Sequence, residues 1–331
     1  MKRRPRSEWE LIERLTTVFA ARGSRPSTVR LGIGDDAAVL APFRHAHVWT
    51  VDTSVAGVHF DLRWLTAADV GARSFHAAVS DIAAMGARPV AALSSVIVPA
   101  GFDDEALLEL VGGQAQASSE LCCPVVGGNL SRGGELSVTT TVLGSVGRPI
   151  TRAGARHGDE VWLVGDLGLA GAGLRCLERR LPSRRLSRAA RRAVDVCIAA
   201  WRRPVARIRE GRALAKRAHA AIDVSDGLGA DAGHIAAQSR VQVVLEEARL
   251  LRVLRTELIV ACDVLGESPL QLALGGGEDY ALVATGPKGA RPRGIRNIGR
   301  VERGSGAVLE GADGGRHDLG ADGFDHFRHA R

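Results

Sequence analysis

Residues 221–237 read AIDVSDGLGADAGHIAA. Ala221 to Val224 is a short apolar run around one carboxylate, which predicts a buried strand. Gly227 interrupts it, and Leu228 to Ala237 carries apolar residues at helical spacing, which predicts a helix. A strand turning directly into a helix is the building unit of mixed α/β architecture. The i, i+2 spacing of Asp223 and Ser225 puts both side chains on one strand face. Asp226 stands at the turn, where the N–H groups of a helix N-terminus receive phosphate oxygens.

The same alternation runs outward in both directions. Glu8 to Phe19 predicts an amphipathic helix, with Trp9, Leu11, Ile12, Leu15 and Val18 on one side. Val48 to Val51 reads as a short strand. Thr66 and Asp69 form a capping box opening a helix towards Met85, and Arg88-Pro89 stops it. Val90 to Val98 reads as a buried strand, Asp103 caps a helix through Val111, and Val125-Val126 and Leu136 to Val146 read as strands. Further strands are predicted at Val161 to Val164, Val241 to Leu245, Tyr280 to Ala284 and Ile295 to Val301. The fold class is therefore α/β or α+β. Trp49 and Trp64 are expected in the core. Between Gly147 and Gly158 the chain is rich in Gly, Pro and Arg, which sets the expected boundary between domains 1–148 and 149–331.

Composition narrows the function. In 331 residues no apolar run reaches the roughly 18–20 residues of a membrane span, and the polar Ser7-Glu8-Trp9-Glu10 stands where an export signal needs an apolar stretch. The expected compartment is the cytoplasm, with no membrane partner. The five cysteines include no C-x-x-C pair, so neither a disulfide framework nor a zinc site is expected. The net charge of +7 is concentrated in the arginine-rich run 175–217, where only Glu178, Asp195 and Glu210 oppose it. The rest of the chain is net acidic. A solvated helical face explains that distribution better than a nucleic-acid interface.

Several segments share one grammar: a small or apolar stretch, then one or two carboxylates, with glycine close by. They are GIGDDAAVL (32–40), Val48 to Thr53 around Asp52, Ala77 to Asp81, Ile222 to Gly227 and GGGEDYAL (275–282). A carboxylate at a strand end is costly to bury without a partner. Repetition across the chain points to a shared one, and magnesium takes oxygen ligands from one or two carboxylates plus substrate phosphates. No G-x-x-x-x-G-K-[ST], H-E-x-x-H, G-x-S-x-G or protein-kinase motif set is present. The carboxylates are expected to converge on one cluster of divalent ions.

These segments resemble the thiamine-monophosphate kinase family. The resemblance is carried by GIGDDAAVL (32–40), VDTSVAGVHF (51–60), SDIAAMGARP (80–89), IDVSDGLGAD (222–231), GGGEDYAL (275–282) and GFDHF (323–327), in the family's order. It implies a two-domain fold like that of aminoimidazole ribonucleotide synthetase. The N-terminal sheet would form a barrel-like homodimer interface, and an α/β domain would follow. It implies ATP as co-substrate, thiamine monophosphate as acceptor and several Mg²⁺ ions. By similarity, Asp36, Thr50, Asp52, Asp81, Asp223 and Asp226 would hold the metals, with the Val51 carbonyl as a further ligand. Gly128, Arg152 and Ser225 would contact ATP, and His59, Glu278 and Phe324 the thiamine part. The family's usual Gly-Gly-Asp is here Gly127-Gly128-Asn129. Asn129, an expected metal and ATP contact, offers magnesium a neutral carbonyl oxygen, so one metal site is expected to be weaker or its ion held mainly by ATP, which leaves open reduced activity or a paralogue with altered function.

The acceptor of such a reaction is already an anionic phosphate oxygen and needs no general base, so a direct in-line transfer is expected. Two alternatives remain on sequence grounds. One is another ATP-using enzyme of the same superfamily, often with a reactive cysteine near the N-terminus, although no cysteine precedes Cys122. The other is a non-catalytic nucleotide or nucleic-acid binder using the 175–217 arginines.

Overall fold

The computed structural model describes residues 14–19, 21, 28–31, 33, 39–42, 44–181 and 186–320. Residues 14–19 are helical, and the rest of the predicted N-terminal helix lies outside the described residues. The chain is mixed α/β. It divides into two compact units, one of Met1–Ile82 with Arg88–Gly147, the other of Ala83–Ala87 with Arg148–Arg331.

In the first unit, β1 (Val29–Leu31) and β2 (Val39–Leu40) form an antiparallel ribbon. A four-stranded sheet follows the order β3-β6-β4-β5, with β3 Ala46–Val55, β4 Arg88–Pro99, β5 Val125–Gly133 and β6 Ser137–Val146. Only β4 and β5 are parallel. Helices α1 (Ala67–Ala84) and α2 (Asp104–Glu120) accompany it. The capping box is present: the Asp69 N–H donates to Thr66 Oγ1 at 3.1 Å, and the Thr66 N–H donates to Asp69 Oδ2 at 3.2 Å. Asp103 Oδ2 accepts from the Ala106 N–H at 3.2 Å. Helix α2 runs past the predicted end at Val111. A Cβ on Gly113 would lie 2.0 Å from the Ala68 carbonyl oxygen, and one on Gly71 1.8 Å from that of Leu110. These glycines let α1 and α2 touch backbone to backbone, which outweighs their low helix propensity.

Strand β3 is longer than predicted and alternates in burial. Thr50, Asp52 and Ser54 point inward, while Trp49 and Val51 are 63% and 62% exposed. The expectation that Trp49 is core is therefore corrected. The pleat turns it to the sheet face opposite Thr50. Trp64 is half-buried, with the Arg63 guanidinium 5.2 Å from its ring centroid.

The second unit holds a seven-stranded sheet in the order β13-β12-β9-β11-β7-β10-β8. The strands are β7 Asp159–Val164, β8 Ala220–Val224, β9 Gln242–Glu246, β10 Ala281–Pro287, β11 Arg296–Glu302, β12 Ala307–Glu310 and β13 Arg316–Asp318. Every pairing is antiparallel except β9 with β12. Its helices are α3 Leu169–Glu178, α4 Arg188–Arg202, α5 Ile208–Leu214, α6 Leu228–Ser239, α7 Glu247–Val253, α8 Thr256–Leu265 and α9 Pro269–Gly275.

Both faces of this sheet are covered, so β7 is apolar at successive positions. Val161 and Leu163 pack with Ile222, Val224, Leu228 and Ile235 on one side. Trp162 and Val164 pack with Ala83, Leu214 and Leu282 on the other. A third cluster joins α3, α4 and α8 through Leu169, Cys176, Val194, Cys197, Leu258 and Cys262. Burial pushes the thiol pKa of Cys123 and Cys197 up to about 12, and that of Cys176 and Cys262 to about 11, so these groups are protonated packing elements. Among the described residues no single helix is long and apolar enough to cross a membrane.

Candidate functional site

The predicted ligands of the first unit lie on β3 and α1. Thr50 and Asp52 share the inward row of β3, and the Thr50 hydroxyl donates to Asp81 Oδ2 at 2.5 Å. Asp81 is only partly covered, between the fully buried Ser80 and Ile82 of α1. The arrangement is a carboxylate oriented by a hydroxyl beside a second carboxylate, all hard oxygen donors. Asp36 lies outside the described residues.

Register places the remaining first-unit candidates. Asp52 pairs with Thr140, Thr140 with Ser94, and Ser94 with Gly128, so Gly128 stands on the Asp52 row. A Cβ there would meet the Ser94 carbonyl oxygen at 1.8 Å, so only glycine fits. Asn129 belongs to the next row, with Ser95, Thr139 and Thr53. Asn129 is exposed on that row. Val51, on the edge strand β3, turns its side chain outward with Trp49, away from Thr50 and Asp52. His59 folds back onto the end of β3, its Nδ1 accepting the Val55 N–H at 3.1 Å. That bond places the neutral ring's proton on Nε2, a donor.

In the second unit, β8 ends at Val224 and α6 begins at Leu228, with the near-buried Asp223 followed by Ser225 and Asp226. Gly227 makes the corner at φ +114°, where a Cβ would lie 2.8 Å from the Leu274 carbonyl oxygen. The Asp226 N–H donates to Asp231 Oδ2 at 3.2 Å. Ligand atoms of Asp226, Asp231 and His234 lie within 4.8 Å of one another. Sequence reasoning assigned Asp231 and His234 no role. Their i, i+3 spacing on one helix face beside Asp226 was the available signal. Burial, then the nearby Asp226 and Asp223 charges, push the Asp231 carboxyl up to about 8, against backbone N–H donors that lower it.

This shift sets a pH dependence. In chelator-treated protein, folded Asp231 holds its proton to about pH 8, whereas an unfolded aspartate releases it near pH ~3.9. The stability of the folded chain therefore falls as pH rises through that window. Asp231→Asn is expected to remove this loss and raise the metal-free melting temperature by roughly 2–4 °C at pH 8, with the gap narrowing towards pH 4. Thermal melts across pH 4–9 in chelator measure it, and a pH-independent gap contradicts it.

The segment after α9 divides its two carboxylates between two tasks. Asp279 accepts from the Gly168 N–H at 2.6 Å and the Ala170 N–H at 3.2 Å, capping the N-terminus of α3. Desolvation raises its carboxyl to about 7 despite those donors. Glu278 instead turns towards β8: its N–H donates to the Ser225 carbonyl at 2.7 Å, and its carboxylate accepts from Trp201 Nε1 at 2.9 Å. Glu278 and Tyr280 sit at φ +58° and +47°, unusual for non-glycine residues and often found at functional sites.

The structure thus brings Ser225 and Glu278 into contact, with Asp223 and Asp226 on the same short segment. It sets the backbone of Arg152 elsewhere. The Arg152 carbonyl accepts from Ser239 at the far end of α6, roughly 16 Å along the helix from Leu228. Phe324 lies outside the described residues.

Comparison with known proteins bears on this geometry. Residues 34–146 match the family described as AIR synthase related protein, N-terminal domain. The chain is 38% identical over 312 residues to the thiamine-monophosphate kinase of Mycobacterium tuberculosis, covering 91% of this chain and 87% of that one. It is 36% identical over 291 residues to the enzyme of that name from Aquifex aeolicus, covering 84% and 89%. Among solved structures it is similar to AaThiL complexed with AMPPCP and TMP, with a TM-score of 0.78 and 32% identity over 98% of this chain and 100% of that one. The hydrogenase maturation protein HypE in complex with ATP, at TM-score 0.76 and 23% identity over 96% and 95%, shares the fold.

Proposed function

Because the chain belongs to the thiamine-monophosphate kinase family, we propose that it transfers the γ-phosphoryl group of ATP to thiamine monophosphate, giving ADP and thiamine diphosphate. The observation that carries this reading is the like-charge cluster at the β8–α6 turn. Ligand atoms of Asp226, Asp231 and His234 lie within 4.8 Å of one another, and burial first, then the Asp226 and Asp223 charges, push Asp231 up to about 8. Such frustration is what a divalent cation relieves, and the oxygen-rich donor set fits magnesium.

Mg²⁺ would be held by Asp36, Thr50, the Val51 carbonyl, Asp52, Asp81, Asn129, Asp223 and Asp226, and would neutralise the anionic oxygens of both substrates. Gly128, Asn129, Arg152 and Ser225 contact ATP in this reading. Gly128, which carries no side chain, would contact ATP through its backbone. His59 Nε2–H points a donor at the acceptor phosphate, and Glu278 and Phe324 contact the thiamine part. The reading also makes the chain a homodimer, supported by the exposed apolar Trp49, Val51 and Leu93 on the outward sheet face. It works in the cytoplasm, where ATP is supplied.

The acceptor brings about −1.5 to −2 charges to a nucleotide already strongly anionic. Its phosphate oxygen attacks the γ-phosphorus, the bond to the β–γ bridging oxygen breaks, and ADP leaves with the electron pair. No proton need be removed first. The chain's residues align and desolvate the two phosphates.

Purified protein incubated with ATP, Mg²⁺ and thiamine monophosphate is expected to form thiamine diphosphate. With ATP chiral at the γ-phosphorus, configuration is expected to invert. No thiamine diphosphate would refute the activity, and retention would refute the single displacement.

A further inference from the structure

Helix α4 belongs to the arginine-rich stretch, yet its last turn buries Trp201 to 2% exposure. The helix is anchored where Gly173 of α3 meets it: a Cβ on Gly173 would lie 2.1 Å from the Cys197 carbonyl oxygen. That backbone contact and the cluster of Ala193, Val194 and Cys197 fix the direction in which Trp201 points. A buried indole needs a hydrogen-bond acceptor for its N–H. Here the acceptor is Glu278, 77 residues away, at 2.9 Å.

Glu278 is constrained from its backbone as well. Its φ of +58° follows Gly277 at +66°, where a Cβ would lie 2.8 Å from the Ser225 carbonyl oxygen. Its own N–H bonds that carbonyl. The next residue, Asp279, is tied to the N-terminus of α3. Backbone and side chain are thus both held, which is the geometry of a preorganised binding group.

We propose that Trp201 is a positioning residue that aims the Glu278 carboxylate at the cationic ring of the acceptor substrate and so sets affinity for that ring. The proposal rests on the kinase reading above and on Glu278 as a substrate contact. An indole N–H suits this task chemically. It is a neutral donor, so it orients the carboxylate without adding a counter-charge, as an arginine partner would. The rigid ring also restricts the rotamers open to Glu278. The role of α4 is then to deliver this one indole from its buried face, while its arginines cover the other.

Steady-state kinetics on the full-length chain test it with Trp201→Phe, Glu278→Gln and the double variant. Trp201→Phe keeps most of the ring volume and deletes the donor. Its KM for thiamine monophosphate is expected to rise roughly tenfold, the equivalent of ~1.4 kcal/mol, with kcat and the KM for ATP changed less than threefold. Glu278→Gln is expected to raise the same KM at least as far. Trp201→Phe is expected to add less than threefold on top of it, because both act on one group.

Should Glu278→Gln raise that KM while Trp201→Phe leaves it unchanged, the indole is packing only and the proposal falls. A Trp201→Phe that lowers kcat, ATP affinity and melting temperature together overturns it likewise. If Glu278→Gln changes nothing in an active kinase, the substrate role of Glu278 falls first and takes the proposal with it. A wild-type chain that makes no thiamine diphosphate refutes the kinase reading instead.

Discussion

Asp52→Asn and Asp81→Asn are each expected to lower kcat at least a thousandfold while leaving the melting temperature within a few degrees of wild type. In Asp81→Asn the new amide oxygen can still accept the Thr50 hydroxyl that now bonds Asp81 Oδ2, so local geometry survives the change. What disappears is one negative charge on a hard oxygen ligand. A thousandfold loss corresponds to ~4 kcal/mol of transition-state stabilisation, within the range for a group acting on developing charge. Stability is spared because both carboxylates are partly exposed rather than sealed in the core. Single-turnover kinetics at saturating Mg²⁺, paired with thermal melts, measure the two effects separately. Wild-type turnover in either variant would remove that residue from the site, and loss of turnover together with unfolding would make its role structural.

Trp162→Ala is expected to destabilise the second unit by about 3–5 kcal/mol, the range for truncating a buried tryptophan. Trp162 is fully buried in β7, near the middle of the seven-stranded sheet. Its ring lies over Gly286 of β10, where a Cβ would come within 2.2 Å of it. The glycine clears a flat bed for the indole, so position 286 offers no side chain to fill the cavity left by alanine. The ring also packs against Ala83, Leu214 and Leu282, and Nε1 donates to Glu160 at 2.9 Å. Urea unfolding measures the loss, and a change under ~1 kcal/mol would mean the surrounding elements close over the gap.

Local signals carried much of the fold. The Thr66–Asp69 box and the Asp103 cap were legible because each cap is made within three residues. The strand–turn–helix at 221–237 was legible because glycine and apolar spacing act locally. Helices α8 and α9 escaped the reading. Leu258, Ala261, Cys262 and Leu265 of α8 and Leu272 of α9 are buried against α3 and α4, yet α8 also exposes Ile259, so no polar face marks the helical period. Helix α2 continues past Val111 to Glu120, with Gly113 packed against Ala68 of α1, a contact that no local signal announces.

The candidate site divides in the same way. Asp52, Asp81, Asp223 and Asp226 could be singled out because each ends or follows an apolar stretch. Asp231 could not be weighted, because its carboxyl is unusual only through burial and the neighbouring Asp223 and Asp226 charges. Glu278 and Asp279 are adjacent carboxylates of equal rank in the sequence. One caps α3 and the other meets Trp201, partners 111 and 77 residues distant.

From sequence alone came the α/β class, the kinase resemblance and the residue types able to hold a divalent ion. These depend on hydrophobic period, capping chemistry and ligand hardness, all properties of a residue and its near neighbours. Only the tertiary structure decided that Trp49 faces outward, that Gly128 shares a row with Asp52 while Asn129 does not, and that Trp201 meets Glu278. Those outcomes follow from strand register and helix packing, which are set by the combined contacts of distant segments and are encoded in no single stretch of chain.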